Sequence, residues 1–339
     1  MLMVSNKTVL LICPDFFDYK TLISKELENY FQKVISFPDR PVCSSISKAL
    51  FKYNAPVFSK HMSTKYDKGI YRAIVNELPE ITDVIIIKGT CITPGFIELL
   101  RRKNKKIRVI SYSWDSVSNI KTFINLAHKS DRSFTFDIKD SLNYKINYLP
   151  LFFSEISDEK VSLNGASSET FDYTFIGSYH GDRIRVLSRF LANKEAANTY
   201  IKIYFQSYLQ YIFYYLRDSA LRSCPKKWIT FESVPRNEVE AVSRSSRHII
   251  DIHHHKQTGL TMRTWETLQG KHKLITTNPT VLLHSSSDLV TVIDRDSGLE
   301  WSVTQCTEYK DKIKQENPHL FTDGCLSLSA WVDALLTKS

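Results

Sequence analysis

The sequence predicts an α/β chain of two Rossmann-like domains in tandem, with an interdomain cleft. Three observations predict it. Short apolar runs alternate with helix-spaced segments up to residue 153, a polar stretch interrupts the pattern at 153–170, and a second alternating series follows. A chain of 339 residues also exceeds the usual size of one hydrophobic core.

In the first series, TVLLICP (8–14) reads as a buried strand. Residues 19–33 read as a helix with Leu22, Leu27, Tyr30 and Phe31 at helical spacing, followed by a strand at 33–38. IYRAIVNELPEI (70–81) predicts a helix leading into TDVIIIKGT (82–90), the clearest strand. A helix at 96–106, the strand IRVISYSWD (107–115), a helix at 119–130 and extended pieces at 133–137 and 146–153 complete the first domain. The Ser-, Glu- and Asp-rich segment at 153–170 reads as a linker.

The second series opens with the strand DYTFIGS (172–178) and a helix at 181–193. A long aromatic helix is expected from about 200 to 222, read as core ahead of membrane interface, then a strand at 228–234 and a helix at 234–245. RHIIDIHHH (247–255) predicts a strand, GLTMRTWETLQG (259–270) a turn and helix, and 273–278 and 288–294 two more strands. The domains are thus expected at 1–155 and 170–325, with a C-terminal helix or tail at 326–339.

The composition, 42% hydrophobic and 24% charged, argues against long disorder. A net charge of +9 implies a surface that attracts anions. No nucleic-acid motif accompanies that charge, and nucleic acid is not an expected partner. Six scattered cysteines without a CxxC predict free thiols in a reducing compartment. The N-terminus lacks signal-peptide features and no run is long enough to span a membrane, so a cytoplasmic location is expected. GxGxxG and GxxxxGK[ST] are both absent, which disfavours dinucleotide oxidoreductases and P-loop NTPases.

Ligands of open α/β sheets sit beyond the carboxyl ends of the strands. In the second domain these ends carry Gly177, Ser178 and Arg183 in FIGSYHGDR, and His253 and His255 in DIHHH. Gly259, Thr261, Arg263 and Glu266 follow in the turn and helix. A helix start offers free N–H groups to an oxyanion, an arginine adds a charge-assisted donor, and a carboxylate one turn deeper accepts from sugar or ribose hydroxyls. The bland alternatives are a capped turn and an exposed salt bridge. On a strand only His253 and His255 share a face, with no acidic partner nearby, so no metal site is expected. In the first domain the ends carry Asp15, Lys88, Trp114, Asp115 and Asp137. A Trp-Asp pair suits carbohydrate, the indole stacking on a sugar face and the carboxylate binding or deprotonating a hydroxyl. The alternatives are a core aromatic and helix N-caps.

The order VIIIKGT, SYSWDS, FTFDIKD, YLPLFF, DYTFIGSYHGDR and QTGLTMRTWETLQGKHKLITTN resembles GT-B glycosyltransferases of bacterial O-antigen and capsule clusters. The resemblance spans about 82 to 280 and is strongest in the last block. It implies lipopolysaccharide or capsule biosynthesis: a sugar moved from a nucleotide-sugar donor, without metal or other cofactor, to a growing, lipid-linked glycan. Contact with the inner face of an anionic cytoplasmic membrane is part of that expectation. It further implies that Glu266 engages the ribose, that the helix start and Arg263 face the diphosphate, and that in an inverting version Asp115 or Asp15 would be the general base. Lys88, Trp114 and Asp137 fall on the acceptor side. The retaining pattern of two glutamates is broken, because Thr258 stands eight positions before Glu266, and the stereochemistry stays open. A non-catalytic nucleotide or glycan binder of GT-B shape and a sugar-nucleotide epimerase are the alternatives.

Overall fold

The computed structural model describes residues 5–15, 18–41, 56–153, 170–192, 194, 197–284, 287–316 and 326–337. The expected linker at 153–170 lies almost wholly outside them. Contacts divide the chain into two units, Met1–Leu151 with Leu326–Ser339, and Phe152–Cys325.

The first unit runs β1 (Ser5–Ile12), α1 (Tyr19–Leu27), β2 (Phe31–Phe37), α2 (Pro56–Ile74), β3 (Ile81–Ile87), α3 (Pro94–Lys103), β4 (Arg108–Ser113), α4 (Phe123–Ala127), β5 (Arg132–Thr135), α5 (Ile138–Tyr144) and β6 (Asn147–Tyr148). Its strands pair in parallel in the order β2-β1-β3-β4-β5-β6. Val9–Ile12 and Val84–Ile87 are buried because helices cover the sheet, which is why these strands read as unbroken apolar runs. The strand order reverses between β1 and β3, placing a switch point between Cys13–Asp15 and Lys88–Gly89.

The helix expected over 19–33 stops at Leu27, and Phe31–Phe37 is a strand in register with β1, Val9 opposite Val34. Parallel pairing that buries Phe31 beats the helical spacing of Tyr30 and Phe31. Likewise the helix expected over 70–81 begins at Pro56 and ends at Ile74, ahead of Pro79, which a helix interior excludes.

A C-terminal helix, α12 (Leu328–Leu336), packs on this unit, with Trp331 fully buried and its ring 4.9 Å from that of Tyr112. Arg108 and Arg132 donate to the carbonyls of Leu336 and Leu335, cations on the negative end of the helix.

The second unit runs β7 (Phe152–Phe153), β8 (Phe171–Ser178), α6 (Arg183–Leu191), β9 (Thr199–Tyr204), α7 (Tyr208–Tyr215), α8 (Ser219–Ser223), β10 (Ile229–Thr230), α9 (Arg236–Arg244), β11 (Ser246–Asp251), α10 (Met262–Gln269), β12 (Lys273–Thr276), β13 (Val290–Val292) and α11 (Val303–Glu316). All six strands of its sheet are parallel, in the order β10-β9-β8-β11-β12-β13. That is the doubly wound order, and its switch point lies between β8 and β11.

The long aromatic helix expected from about 200 to 222 is corrected. TYIKIY alternates with period two and forms β9, burying Ile201 and Ile203, and only 208–215 and 219–223 are helical. The core reading holds for one face of α7 only: Tyr211 and Tyr214 pack partly buried against the core, and no residue of the helix is fully buried.

One buried carboxyl gives a pH signature. Asp67 on α2 accepts from the backbone N and hydroxyl of Thr93, yet burial pushes its carboxyl up to about 7. A raised carboxyl pKa means the folded state favours the proton. The associated stability is therefore complete below the ordinary value near 3.8 and lost as pH rises toward 7. Asp67→Asn keeps an acceptor for Thr93 and is expected to be more stable than the parent at pH 8, by on the order of 2 kcal/mol, with no difference below about pH 4. Denaturant midpoints across that range check it.

Candidate functional site

The carboxyl edge of the second sheet is organised around one arginine. Arg183, the first residue of α6, donates through Nη1 to the carbonyl of Ser178 at 2.8 Å and through Nε to the carbonyl of Ile252 at 2.8 Å. It thereby bridges the ends of β8 and β11 across the switch point. Gly177 is needed here, because a Cβ at that position would sit 3.0 Å from the Phe175 ring and 3.4 Å from the Arg183 guanidinium. Burial pulls the Arg183 guanidinium below its ordinary value, opposed by the nearby Asp251 carboxylate and reinforced by Arg295 and Arg263.

Asp251 ends β11 and is 5% exposed. Its Oδ2 accepts from the hydroxyls of Thr261 at 2.8 Å and Thr264 at 2.6 Å. Thr261 is the N-cap of α10, its hydroxyl accepting from the backbone N of Thr264 at 3.2 Å. Asn278, after β12, donates to the carbonyls of Thr258 and Gly259 and so fixes the chain entering the helix. The start of α10 is thus tied to two strand ends, and the first-turn N–H groups of Met262 and Arg263 have no intrahelical acceptor. Trp265 and Thr264 face the core, while Arg263 and Glu266 line one groove against α9 with Arg236, Glu240, Arg244 and His272.

A second arginine closes the edge. Arg295, just after β13, is paired with Asp182 at 2.8 Å and donates to the His253 carbonyl at 2.6 Å and the Thr277 hydroxyl at 3.2 Å. Burial pushes the Asp182 carboxyl up, but Arg295 outweighs it and holds the group below the usual carboxylate range. His253 Nδ1 lies 2.8 Å from the Thr277 hydroxyl and 3.1 Å from Arg295 Nη2. A guanidinium only donates, so Nδ1 accepts and the proton of the neutral ring is assigned to Nε2. Burial, then Arg295 and Arg183, lower this imidazole to about 3.

The expected strand ends at Asp251, so His253 and His255 do not share a strand face. His253 is half-buried, and His255 is exposed and stacks on His254. Among the described residues no cluster of three or more His, Cys, Asp or Glu is placed to hold a metal ion. Asp182, Asp251, Thr277, Asn278 and Arg295 were not singled out from sequence. The signal for Asp251 was a lone carboxylate inside an apolar strand; Arg295 immediately follows one.

In the first unit, Lys88 and Gly89 are consecutive left-handed residues at φ 66° and 62°. A Cβ on Gly89 would lie 2.8 Å from Leu126. Lys88 accepts that backbone conformation, which costs on the order of 1 kcal/mol. Its ammonium pairs with Asp115 at 3.0 Å. The other Asp115 oxygen accepts from the Ser116 N–H at 3.0 Å and the Asn119 amide at 2.8 Å. Trp114 is half-buried, its ring edge-on to Tyr19 at 6.3 Å. Asp15 is exposed and paired with Lys20 at 3.2 Å. Asp137 is 1% exposed and caps α5 through the Asp140 N–H. Asp15, Lys88, Trp114, Asp115 and Asp137 all follow carboxyl ends of strands, Asp137 as a buried cap.

No family model and no curated protein matches the chain. Solved structures match over nearly its whole length. A glycosyltransferase from Rickettsia africae ESF-5 is 12% identical, covers 98% of this chain and 99% of its own, and superposes with a TM-score of 0.53. An alpha-glucosyltransferase in complex with UDP and a 13-mer DNA containing a central A:G mismatch is 10% identical, with coverage of 96% and 94% and a TM-score of 0.51. A co-structure of S. aureus MnaA with UDP is 10% identical, with coverage of 93% and 89% and a TM-score of 0.49. The chain has the fold of GT-B glycosyltransferases, built from two Rossmann-like units.

The His253 environment is directly testable. A depressed histidine favours the neutral ring in the folded state, so its contribution is complete above the ordinary value near 6.5 and lost as pH falls toward 3. NMR of labelled histidines is expected to find one ring still neutral at pH 5, and its signal absent from His253→Asn. A His253 midpoint near 6.5 contradicts the described pairing with Arg295.

Proposed function

We propose that the protein is a Leloir-type glycosyltransferase that binds a nucleotide-sugar at the carboxyl edge of the second sheet. The observation that carries this reading is the start of α10. It is fixed by Asp251 and Asn278, it offers unpaired first-turn N–H groups, and Arg263 and Glu266 share one groove. The GT-B fold and a fold neighbour, an alpha-glucosyltransferase in complex with UDP, support it.

In this reading the acceptor hydroxyl attacks the anomeric carbon, the bond to the nucleotide phosphate breaks, and the phosphate leaves with the bonding pair. Arg263, the N–H groups of α10 and the Nε2–H of His253 take up its developing charge, a task for preorganised donors. The neutral ring of His253 is suited to donate a hydrogen bond without bringing a further cation beside Arg183 and Arg295. Glu266 accepts from ribose hydroxyls. The acceptor proton goes to a carboxylate of the first unit, Asp115 or Asp15. The acceptor we read as a growing surface glycan, following the resemblance in sequence.

One observation favours a second reading. The Asp115 carboxylate is already engaged by Lys88, Ser116 and Asn119, and Asp15 is exposed, an arrangement equally suited to a non-catalytic nucleotide-binding protein.

A thermal-shift screen with UDP, GDP, CMP, TDP and their common sugars separates the readings. Under the proposal one nucleotide stabilises the chain, by about 2.7 kcal/mol at a hundredfold excess over Kd. The stabilisation is lost in Arg263→Ala and Glu266→Ala, and transfer falls about a hundredfold or more in Arg263→Ala. Nucleotide binding without transfer or hydrolysis supports the second reading; conversion of the donor without an acceptor identifies an epimerase. Unchanged turnover in Arg263→Ala removes that residue from the mechanism.

A further inference from the structure

The segment between β9 and β10 carries an apolar surface that neither sheet uses. Helix α7 is capped by the Ser207 hydroxyl, which accepts from the Gln210 N–H, and at about 1.5 Å per residue its eight residues span about 12 Å. Its inner face is aromatic. Tyr211 packs edge-on to buried Phe205 at 5.3 Å, and Tyr214 lies 4.7 Å from Tyr179. Those two rings fix the helix's rotation and turn four apolar side chains outward. Leu209, Ile212, Phe213 and Leu216 stand at helical spacing on one stripe, Leu209 79% and Leu216 74% exposed. Tyr208, Tyr215 and Phe231 flank the stripe and are also exposed.

A continuous stripe of this kind is unlike the scattered apolar residues of an ordinary surface and marks an interaction site. Its surroundings select the occupant. Between residues 199 and 227 the chain carries five basic residues, Lys202, Arg217, Arg222, Lys226 and Lys227, against one acid, Asp218. Asp218 is turned inward, accepting from the Tyr179 hydroxyl at 2.8 Å and the Ala220 N–H at 2.9 Å. Arg217, Arg222, Lys226 and Lys227 are exposed, and the Arg217 guanidinium lies 3.6 Å over the Phe213 ring. Apolar and tyrosyl side chains rimmed by cations match the boundary of an anionic bilayer, where rings and leucines enter the head-group layer and cations meet lipid phosphates. A second copy of this chain, docked symmetrically, would bring the same cationic rim against itself. Among the described residues no helix is long and apolar enough to cross a membrane, so the contact is one of lying on the surface.

We propose that the outward stripe of α7, with Arg217, Arg222, Lys226 and Lys227, docks the protein on an anionic membrane surface. The inference does not depend on the transferase reading.

Co-flotation of the full chain with vesicles of phosphatidylcholine alone, or with 30% phosphatidylglycerol (about a third anionic, a composition suited to test charge), checks it. The parent chain is expected to float with anionic vesicles and not with neutral ones. Leu209→Asn with Leu216→Asn lowers binding about tenfold or more. Lys226→Gln with Lys227→Gln lowers it about fivefold per cation removed, and added salt releases the parent. All these positions are exposed, so circular dichroism and the thermal midpoint stay those of the parent. No flotation, equal flotation of the apolar variant, or a concentration-dependent dimer abolished by Leu209→Asn with Leu216→Asn overturns the proposal, the last assigning the stripe to a second copy.

Discussion

Arg183 is the constraint on which the second unit's edge depends. Two neighbouring parallel strands whose chain connections run to opposite sides leave a gap at their carboxyl ends, lined by carbonyls with no ladder partner there. A guanidinium can donate to both sides of that gap at once, and Arg183 does so, reaching Ser178 and Ile252. Its burial is costly, which is the cause of its lowered pKa, and the Asp251 carboxylate beside it offsets part of that cost. Asp251 in turn holds the two threonines that start α10. One arginine therefore links the glycine turn after β8, the end of β11 and the helix that carries Arg263 and Glu266.

Charge is distributed around this edge in an ordered way. The carboxylates are turned to structural work: Asp182 holds Arg295, and Asp251 holds hydroxyls and compensates Arg183. The histidine beside the arginines is kept neutral, with Nδ1 committed to accepting. Under the proposed reading a ligand meets helix N–H groups, the Nε2–H and the Arg263 guanidinium as donors. Fixed donors favour an anion with several oxygens and avoid reorganisation when charge develops, while Glu240 and Glu266 supply acceptors in the groove that Arg263 lines. At the first unit's edge the same logic gives another result, because Lys88 in its left-handed conformation is committed to Asp115.

Much of this was legible in the sequence, for a physical reason. Parallel strands buried on both faces must be apolar throughout, so TVLLIC, VIIIK, RVISYS and HIID stand out without any alignment, and the residues after them mark the carboxyl edge. The misread segments are those where two periods compete. Tyr30 and Phe31 fit a helix until pairing with β1 is considered, and TYIKIY is so rich in aromatics that it merged with the helix beyond it. Arg183 was selected as a ligand-binding group, whereas the structure commits two of its donors to backbone. Arg295 and Asp182 were invisible because they lie 113 positions apart and only the sheet brings them together. The exposed face of α7 could not be read from composition, since the same residues would serve a buried helix equally well.

The central claim is that a nucleotide binds at the β8–β11 switch point beside the start of α10. Hydrogen–deuterium exchange of the full chain, with and without the nucleotide that stabilises it, tests this most directly. The account predicts protection at 177–184 and 252–266, with the amides of the first turn of α10 most affected. Protection confined to the first unit, or to segments away from these strand ends, would contradict it.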